Sequence, residues 1–572
     1  MADKDFDYIV VGAGSAGCVL ANRLSGDPSH SVLLLEAGGS EQGYWRMRMP
    51  LAWRDTFMNP RLGWGYSSEP EPHADGRRIP VPRGKVLGGS SSVNGMMYSR
   101  GHPADYDEWR DLGAEGWSFA EVLPYFRRAE ANWRGASVYH GAEGPLTVSR
   151  HVTDAVLYPK LIATAAKLGY RHLDDFHGED VEGFSAPDFN VHRGRRASTA
   201  ARYLRPAMAR SNLVVETGAL AHRVLFDGDR AVGVEYERNG RIERALAERE
   251  VILAGGACNS PQLLLLSGIG PAAELEAAGI RPLHDLPGVG KQLQDHQSVA
   301  VMFAANGPIT FESQLRLDRL LAAVLRWQLF GTGPAADLPV AAQGFLRLRR
   351  DAPGADVQFL VSPVSMLARP WFPGWRAGVG HVISVANVVL HPDTRGEVTL
   401  RSADPRDPPR ILFNLLGAPR DRETLREMIR FARRFFATPP ASQLVGRELL
   451  PGPAVESDAD LDAHVRGSVG TAMHPTSTCA MGSDAQAVVD PRLRVRGLKG
   501  LRIVDASVMP RIVGGNTNAP VIMIAEKAAD LILGRGPLPP AALPSARTDS
   551  ARADGTRAAS AAAHGTGLPV TG

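Results

Sequence analysis

The chain has 572 residues, of which 44% are hydrophobic and 22% are charged. This length exceeds what one core usually supports and suits two large domains. The formal net charge is only +3 and no long block of lysine or arginine occurs, so the composition argues against a nucleic-acid partner.

Residues 7–36 predict a strand, a tight glycine turn, a helix and a second strand. The short β-branched run YIVVG precedes AGCVLANRLS, whose apolar residues recur at helical spacing, and SVLLLEAG is a second apolar run. This order is a βαβ unit, which is typical of an α/β fold with a parallel sheet.

The rest of the chain alternates between loop-rich and regular segments. Residues 40–150 contain few clear elements apart from a predicted helix at 119–130. Residues 212–255 show strand patterns again, which favours a return to the first sheet. Residues 300–460 add new strands and a long helix, and residues 500–533 read as strand, loop and helix.

These patterns predict two domains that are discontinuous in sequence, followed by a tail. The first domain is predicted to comprise residues 1–150, 200–300 and 465–535, the second 151–199 and 301–464, and the tail 536–572. From Gly536 onward the chain is mostly Pro, Ala, Ser, Gly and Thr, so we expect it to be disordered.

The cysteine spacing and the apolar runs indicate in which cellular compartment the protein is expected. Cys18, Cys258 and Cys479 lie far apart and form no CxxC pair, so a disulfide framework is not expected. No apolar signal segment opens the sequence, and no run of eighteen apolar residues occurs. We therefore expect a cytoplasmic protein, peripheral to the membrane if a quinone is its electron acceptor.

The segment VVGAGSAG contains Gly12, Gly14 and Gly17 in the pattern G-x-G-x-x-G. The first glycine permits the tight turn, the second lets the backbone approach a pyrophosphate, and the third lets helix and strand pack closely. The N–H groups of Ser15 and Ala16 then open a helix whose positive end favours phosphate.

Glu36 lies 19 residues past the last of these glycines, at the end of the next strand. A carboxylate in that position can accept hydrogen bonds from the ribose hydroxyls of an adenosine. The strand, turn, helix and acid together predict a dinucleotide site, although they do not separate NAD from FAD.

Three further segments resemble the glucose–methanol–choline (GMC) oxidoreductase family, and most closely its choline-dehydrogenase-like bacterial members. GKVLGGSSSVNGMMYSRG at 84–101 resembles the first family signature, and GACNSPQLLLLSGIG at 256–270 resembles the second. The run from VDASVMP to GGNTNAPVIMIAEKAADLI also matches. The resemblance covers roughly residues 5–534.

The resemblance implies a Rossmann-like FAD-binding domain, a substrate domain with an antiparallel sheet flanked by helices, and oxidation of alcohols at the flavin. It places Trp64 near the adenine, Val224 beside the adenine through its backbone, and Asp505 near the phosphates and ribityl chain. The implied cofactor-binding positions are Gly12, Gly14, Ser15, Ala16, Gly17, Glu36, Ala37, Trp64, Val86, Asn94, Gly95, Met96, Met97, Val224, Asp505, Ala506 and Thr517.

Val93 bears on how the cofactor is held. Some family members attach FAD covalently through a histidine just before the asparagine of the first signature, and here that position is Val93. Valine cannot form this bond, so non-covalent FAD is expected.

The segment GTAMHPTSTCAMG around His474 admits several interpretations. A zinc site would need more ligands than His474 and Cys479, and no G-x-S-x-G turn surrounds Cys479 or Ser477 to make a nucleophile. We expect no metal and interpret Cys479 as a small buried hydrophobe. The residues alone leave His474 as a packed core histidine or a proton-transfer base.

The resemblance favours the base. HPTSTCAMG resembles the family segment whose first histidine faces the flavin, and histidine suits removal of an alcohol proton near neutral pH. Pro475 disfavours a helical conformation for His474, which should help to fix its ring. The second catalytic position of the family falls on Asn516, which can orient the alcohol; a turn-capping role is its structural alternative.

The leading prediction is FAD-dependent oxidation of a neutral primary alcohol to the aldehyde by hydride transfer to flavin N5. No acidic and aromatic cluster typical of a quaternary ammonium cage is evident, which disfavours choline. The sequence does not distinguish a quinone, a redox protein and oxygen as the electron acceptor. The family also leaves open an oxygen-using alcohol oxidase, a hydroxynitrile lyase and a light-driven fatty acid decarboxylase.

Overall fold

The computed structural model describes residues 4–352 and 354–544. Within these ranges twelve α-helices occur. In chain order they are α1 (Ser15–Leu24), α2 (Trp53–Phe57), α3 (Pro103–Asp111), α4 (Phe119–Ala129), α5 (Leu157–Lys167), α6 (Arg205–Ala207), α7 (Gly256–Leu266), α8 (Ala272–Ala277), α9 (Leu317–Phe330), α10 (Pro419–Ala437), α11 (Asp458–Ser468) and α12 (Asn518–Ile532).

Two seven-stranded sheets organise the described residues. Their strands are β1 (Lys4–Val11), β2 (Val32–Glu36), β3 (Gly183–Ser185), β4 (Leu213–Thr217), β5 (Ala219–Asp227), β6 (Arg230–Arg238), β7 (Arg241–Leu253), β8 (Gln297–Ala305), β9 (Ala342–Leu346), β10 (Val357–Ser362), β11 (Val382–Val389), β12 (Val445–Leu450), β13 (Gly470–Thr471) and β14 (Leu501–Ile503).

Shorter strands form the remaining small sheets. Among the described residues, four two-stranded sheets pair Tyr66–Ser67 with Pro80–Val81, Val191–His192 with Arg195–Arg196, Ile269–Gly270 with His284–Asp285, and Glu397–Thr399 with Arg410–Leu412. One four-stranded sheet contains, in order, Met97–Tyr98, Asp188–Phe189, Leu146–Arg150 and Glu130–Asn132.

The first sheet has the order β4–β2–β1–β7–β6–β5, with β14 also pairing β7. Strands β4, β2, β1, β7 and β14 run parallel, whereas β6 and β5 extend the sheet as an antiparallel hairpin. All five residues of β2 are buried, as expected for a parallel strand that is covered on both faces. Helix α1 connects β1 to β2, so the predicted βαβ unit is confirmed.

The second sheet has the order β12–β8–β11–β10–β9–β3, with β13 pairing β8, and every pair in it is antiparallel. Long helix α10 packs against it through an apolar face that includes Phe431 and Phe435. A parallel-centred sheet joined to an antiparallel sheet with helices is the fold class expected from the sequence, and that prediction is confirmed.

The domain boundaries stay a prediction, although the two sheets draw on the expected segments with two differences. Strand β8 of the second sheet begins at Gln297, inside the stretch 200–300 predicted for the first domain. Strand β13, inside the stretch predicted for the first domain, pairs with β8 of the second sheet. This pairing carries the chain from the second sheet directly into the segment that contains His474.

The tail predicted from Gly536 onward stays a prediction, although two of its first residues make defined contacts. Leu538 donates its N–H to the Tyr125 hydroxyl at 3.0 Å, and Ala541 donates its N–H to the Ala120 carbonyl at 2.8 Å. Leu538 and Ala541 also pack against the hydrophobic core of the first domain; residues 545–572 lie outside the described residues. Over the described ranges, no helix combines the length and apolar character needed to cross a membrane.

Candidate active site

A cavity of about 500 Å³ lies between the two sheets. On one side it is lined by the glycine turn after β1 and by the start of α12. On the other side it is lined by β8, β10 and β11 of the second sheet. The dinucleotide fingerprint and the candidate catalytic pair thus open into one shared space.

The glycine turn has the close contacts that its pattern predicts. Gly12 has a φ of +102°, and a Cβ there would lie 2.6 Å from the Ala254 carbonyl oxygen. A Cβ on Gly17 would lie 1.9 Å from the Gly12 oxygen, so only glycine lets α1 pack this close to the turn. Gly14 and Ser15 line the cavity where α1 begins.

Glu36 lines the cavity at the end of β2 and also holds the turn together. Its two carboxylate oxygens accept the N–H of Ala13 at 2.9 Å and of Gly38 at 2.8 Å. Burial raises the pKa of Glu36 to about 7, and the two N–H bonds oppose that shift. The carboxylate keeps further lone pairs, so a ribose contact is compatible with this geometry.

Asp505 joins two elements at the cofactor end of the cavity. It accepts the N–H of Gly256 at 2.8 Å, the Ser260 hydroxyl and the N–H of Ser507 at 2.8 Å. These bonds fix the first turn of α7 against the loop that follows β14. Burial raises the pKa of Asp505.

Most of the sequence-predicted cofactor residues meet at this cavity. Those that line it are Gly12, Gly14, Ser15, Ala16, Glu36, Ala37, Trp64, Asn94, Gly95, Met96, Met97, Asp505, Ala506 and Thr517. Gly17, Val86 and Val224 are not among the lining residues. Gly17 lies behind the turn, Val86 forms a bridge with Gly39, and Val224 donates its N–H to the Ser267 hydroxyl at 2.9 Å.

The peptide before His474 is fixed on both sides. The Met473 carbonyl accepts from Arg83 Nη2 at 2.7 Å, and the His474 N–H donates to Asp295 Oδ1 at 2.8 Å. Met473 has a φ of +66°, a left-handed conformation that these two bonds support. The imidazole is therefore presented from a backbone that is held in one orientation.

A chain of hydrogen bonds defines which nitrogen of His474 carries its proton. His296 Nε2 lies 3.0 Å from the Val513 carbonyl oxygen, which can only accept, so Nε2 of His296 carries a hydrogen. His296 Nδ1 lies 2.9 Å from His474 Nδ1. With both rings neutral, His296 Nδ1 accepts and His474 Nδ1 donates. The Nε2 of His474 therefore carries no hydrogen and can act as an acceptor.

The pKa values support two neutral rings. Burial, with a smaller contribution from Arg83, lowers the pKa of His474 to about 3 in the protein alone. Burial and the neighbouring His474 lower the pKa of His296 well below its usual range. Burial disfavours the imidazolium, so both rings are neutral near pH 7, and the role of His474 as a base stays a prediction.

Asn516 completes the pair. Its Nδ2 lies 3.1 Å from His474 Nε2, and its Oδ1 has no hydrogen-bond partner. Both side chains line the cavity. Asn516 immediately precedes the first turn of α12, where the Ser15 hydroxyl also donates to Asn518 Oδ1 at 2.8 Å and so joins the starts of α1 and α12.

The segment Gln294–His296 was missed by sequence reasoning. Besides the contacts of Asp295 and His296, Gln294 Oε1 accepts the N–H of Ile512 at 3.3 Å, and its backbone pairs with Thr476. This segment therefore holds both loops that carry His474 and Asn516. Three polar residues placed directly before a strand are a weak signal, and nothing in their spacing points to partners so distant in sequence.

Cys479 is fully buried in the core of the first domain, and burial raises the pKa of its thiol well above the usual range. Its predicted packing role agrees with this placement. Across residues 4–352 and 354–544, no group of three or more His, Cys, Asp or Glu side chains is arranged to hold a metal ion.

The residues present fit the FAD implied by the resemblance. The start of α7 leaves backbone uncovered toward the cavity: the space facing a Cβ on Gly256 (φ +82°) holds no atom within 4 Å. The starts of α1 and α7 and the carboxylates of Glu36 and Asp505 border the same space. Helix starts suit a pyrophosphate, and carboxylates suit sugar hydroxyls.

Models of the GMC oxidoreductase family match residues 6–298 and 392–525. The chain is 45% identical over 538 residues to the mitochondrial choline dehydrogenase of Mus musculus, covering 93% of this chain and 90% of that protein. It is 44% identical over 540 residues to the oxygen-dependent choline dehydrogenase of Photobacterium profundum, covering 94% of each.

Solved structures show the same fold. Pyridoxine 4-oxidase from Mesorbium loti superposes with a TM-score of 0.82 at 31% identity, covering 93% of this chain and 100% of that one. A formate oxidase of Aspergillus oryzae, studied for FAD modification, superposes with a TM-score of 0.86 at 28% identity, covering 93% and 99%.

Proposed function

The chain belongs to the GMC oxidoreductase family, and on that premise we propose that it oxidises a neutral primary alcohol to the aldehyde with His474 as general base. As a member of this family it is an FAD-dependent oxidoreductase that acts on CH–OH donors. The identity of the alcohol and the roles of the residues below belong to the proposal.

The observation that carries the proposal is the unprotonated Nε2 of His474, which lies inside the shared cavity beside Asn516. An alcohol hydroxyl that enters the space beside Asn516 can donate its hydrogen to this nitrogen. Burial favours the neutral imidazole, so Nε2 carries no hydrogen before the alcohol binds. The Val513–His296 chain holds the ring in the tautomer that leaves this nitrogen without a hydrogen.

Asn516 positions the alcohol oxygen. Its Nδ2 group donates to His474 Nε2 in the protein alone, and it can instead donate to the alcohol oxygen once the hydroxyl occupies the base. The oxygen is then held between a donor and an acceptor, which fixes the direction of the carbinol C–H bond. An amide does this without competing for the proton.

When bound, FAD supplies the acceptor for the hydride that leaves the carbinol carbon. The glycine turn, Glu36 and Asp505 would hold the nucleotide part, and the segment Val93–Met97 would lie along the remainder of the cofactor. As the hydride leaves, His474 takes the hydroxyl proton, so that the carbonyl of the aldehyde forms.

The side chains at the second sheet support a neutral substrate. Ser298 on β8 and Gln358 on β10 both pair with Val388 of β11, and all three line the cavity. The only carboxylates among the described lining residues are Glu36 and Asp505, both engaged by backbone N–H groups. A quaternary ammonium group would find no anion beside Ser298 and Gln358.

A panel of alcohols added anaerobically to the holoenzyme tests this proposal. We expect primary aliphatic or aromatic alcohols to bleach the yellow FAD, and choline to bleach it far more slowly. Choline as the fastest substrate would overturn the neutral-alcohol proposal while leaving the reaction class intact. Flavin that stays yellow with every alcohol would overturn the proposed function itself.

A further inference from the structure

Helix α9 carries an apolar stripe on its solvent side. Leu321, Leu325 and Leu329 recur every four residues and are 62%, 61% and 73% exposed, and neighbouring Phe330 is 72% exposed. These four residues define the α9 face. A surface helix normally turns its apolar residues toward the core, so an apolar stripe on the solvent side indicates a surface that contacts another molecule.

The helix itself is firmly seated, so its outer stripe is not a product of loose packing. On the inner side Ala323 and Trp327 are buried against Met49 and Ala52. The Trp327 indole N–H donates to the Gly194 carbonyl at 2.6 Å. Because the inner side of α9 already packs against this fold, the α9 face on the other side of the helix cannot be buried against it as well.

A second apolar surface adjoins the α9 face. The loop 363–380 carries Leu367, Phe372 and Trp375, which are 70%, 41% and 58% exposed. Trp371 of this loop accepts the N–H of Leu317, the first residue of α9, at 2.9 Å. In the described residues, nine of the 22 exposed large hydrophobic side chains fall between Leu321 and Val379, so the apolar exposure is concentrated here.

The charge on this surface is predominantly positive. Helix α9 with the residue before it and the loop 363–380 contain one acidic residue, Asp318, which pairs with Arg316 at the start of the helix. Against it stand five arginines: Arg316, Arg319, Arg326, Arg369 and Arg376. Apolar side chains bordered by arginines match the boundary between the acyl chains and headgroups of an anionic bilayer.

The cavity reaches this surface. Met366 lines the cavity and is 52% exposed, so it lies at the mouth. Arg54 of α2 donates to the carbonyls of Ser365 and Met366, and its neighbours Trp53 and Phe57 also line the cavity. The mouth thus lies between α2 and the same loop that carries the apolar residues.

We propose that the α9 face and the loop 363–380 dock the protein on an anionic lipid bilayer, with the cavity mouth at the membrane surface. The arginines favour a lipid surface over a second copy of the chain. In a symmetric dimer through this face the same arginines would oppose one another, which disfavours self-association. A docked mouth would admit an apolar alcohol or acceptor directly from the bilayer.

Vesicle sedimentation of the holoenzyme tests this docking. The wild type should bind vesicles of phosphatidylcholine containing one quarter phosphatidylglycerol, and bind pure phosphatidylcholine more weakly. The variant L321Q/L325Q/L329Q should lose at least about tenfold in vesicle affinity, because binding scales with the apolar area inserted. R319Q/R326Q should lose about fivefold per arginine on anionic vesicles only.

The matched control is V138Q/V152Q/M208Q, which removes three exposed apolar residues elsewhere on the surface. It should bind like the wild type, and all variants should reduce FAD normally with a water-soluble alcohol. Equal binding by the leucine variant and the control would overturn the proposal, as would no binding to either vesicle. A dimer in light scattering that the leucine variant abolishes would assign the face to a second copy instead.

Discussion

Replacing His296 with leucine should slow the reaction without touching the substrate. His296 is fully buried, and its Nδ1 is the acceptor for the His474 Nδ1 hydrogen. Leucine removes this acceptor and leaves a buried donor without a partner. The ring of His474 then gains free energy by moving its hydrogen to Nε2, where it blocks the lone pair that the alcohol needs.

The size of the effect follows from the cost of that unpaired donor. A buried donor left without an acceptor costs about 1 to 3 kcal/mol. Since 1.36 kcal/mol corresponds to a tenfold change in rate, the active tautomer should be depleted, and flavin reduction slowed, by about 5-fold to about 150-fold.

Anaerobic stopped-flow reduction of the holoenzyme measures this step directly. H296Q is the matched control, because a glutamine amide can accept from His474 with its oxygen and donate to Val513 with its nitrogen. We expect H296Q to recover most of the rate that H296L loses, with flavin content and thermal stability recorded for both.

Two results would refute this reasoning. Reduction of H296L at the wild-type rate would show that the acceptor on His296 does not set the tautomer. Equal losses in H296L and H296Q would show that residue 296 acts by packing alone.

Three further predictions concern the cofactor, the substrate and stability. Acid denaturation should release all the yellow colour, because Val93 cannot bind FAD covalently; colour retained in the pellet would contradict this. Q358L should raise KM about fivefold for alcohols with a second oxygen and leave simple alkanols unchanged, since Gln358 lines the cavity and its buried Nε2 has no hydrogen-bond partner; equal effects on both would argue against a contact. Burial lowers the pKa of His177 to about 3, so below pH 6.5 the unfolded chain binds a proton at this residue before the folded protein does. The contribution of neutral His177 to the free energy of unfolding is therefore fully present above pH 6.5 and is lost as the pH falls toward 3. Between pH 7 and pH 5 the free energy of unfolding, measured with urea, should fall by about 2 kcal/mol less in H177Q than in the wild type. An equal fall in both proteins would contradict the lowered pKa of His177.

The sequence predicted the parts of the site that have local patterns. The turn through Gly12, Gly14 and Gly17 is recognisable because its three glycines fall within six residues. His474 and Asn516 came from the family resemblance, and their 3.1 Å contact in the structure brings them together as that resemblance implies.

The parts that sequence could not supply depend on tertiary contacts. His296 reaches His474 and Val513 only because β13 pairs with β8 and returns the chain beside it. His296 acts by setting which nitrogen of His474 carries the hydrogen, and no residue pattern in the sequence encodes that position. The low pKa of His474 likewise arises from burial, so a histidine in a motif suggests a base without giving its charge state.

The central claim is that His474 accepts the alcohol proton during flavin reduction. The most direct measurement compares the rate constants for anaerobic FAD reduction in the wild type and in His474→Ala, each loaded with FAD, using the best alcohol of the panel. Loss of a general base predicts a decrease of about 10²-fold to about 10⁴-fold with FAD still bound. A near-normal rate in the variant would contradict the account.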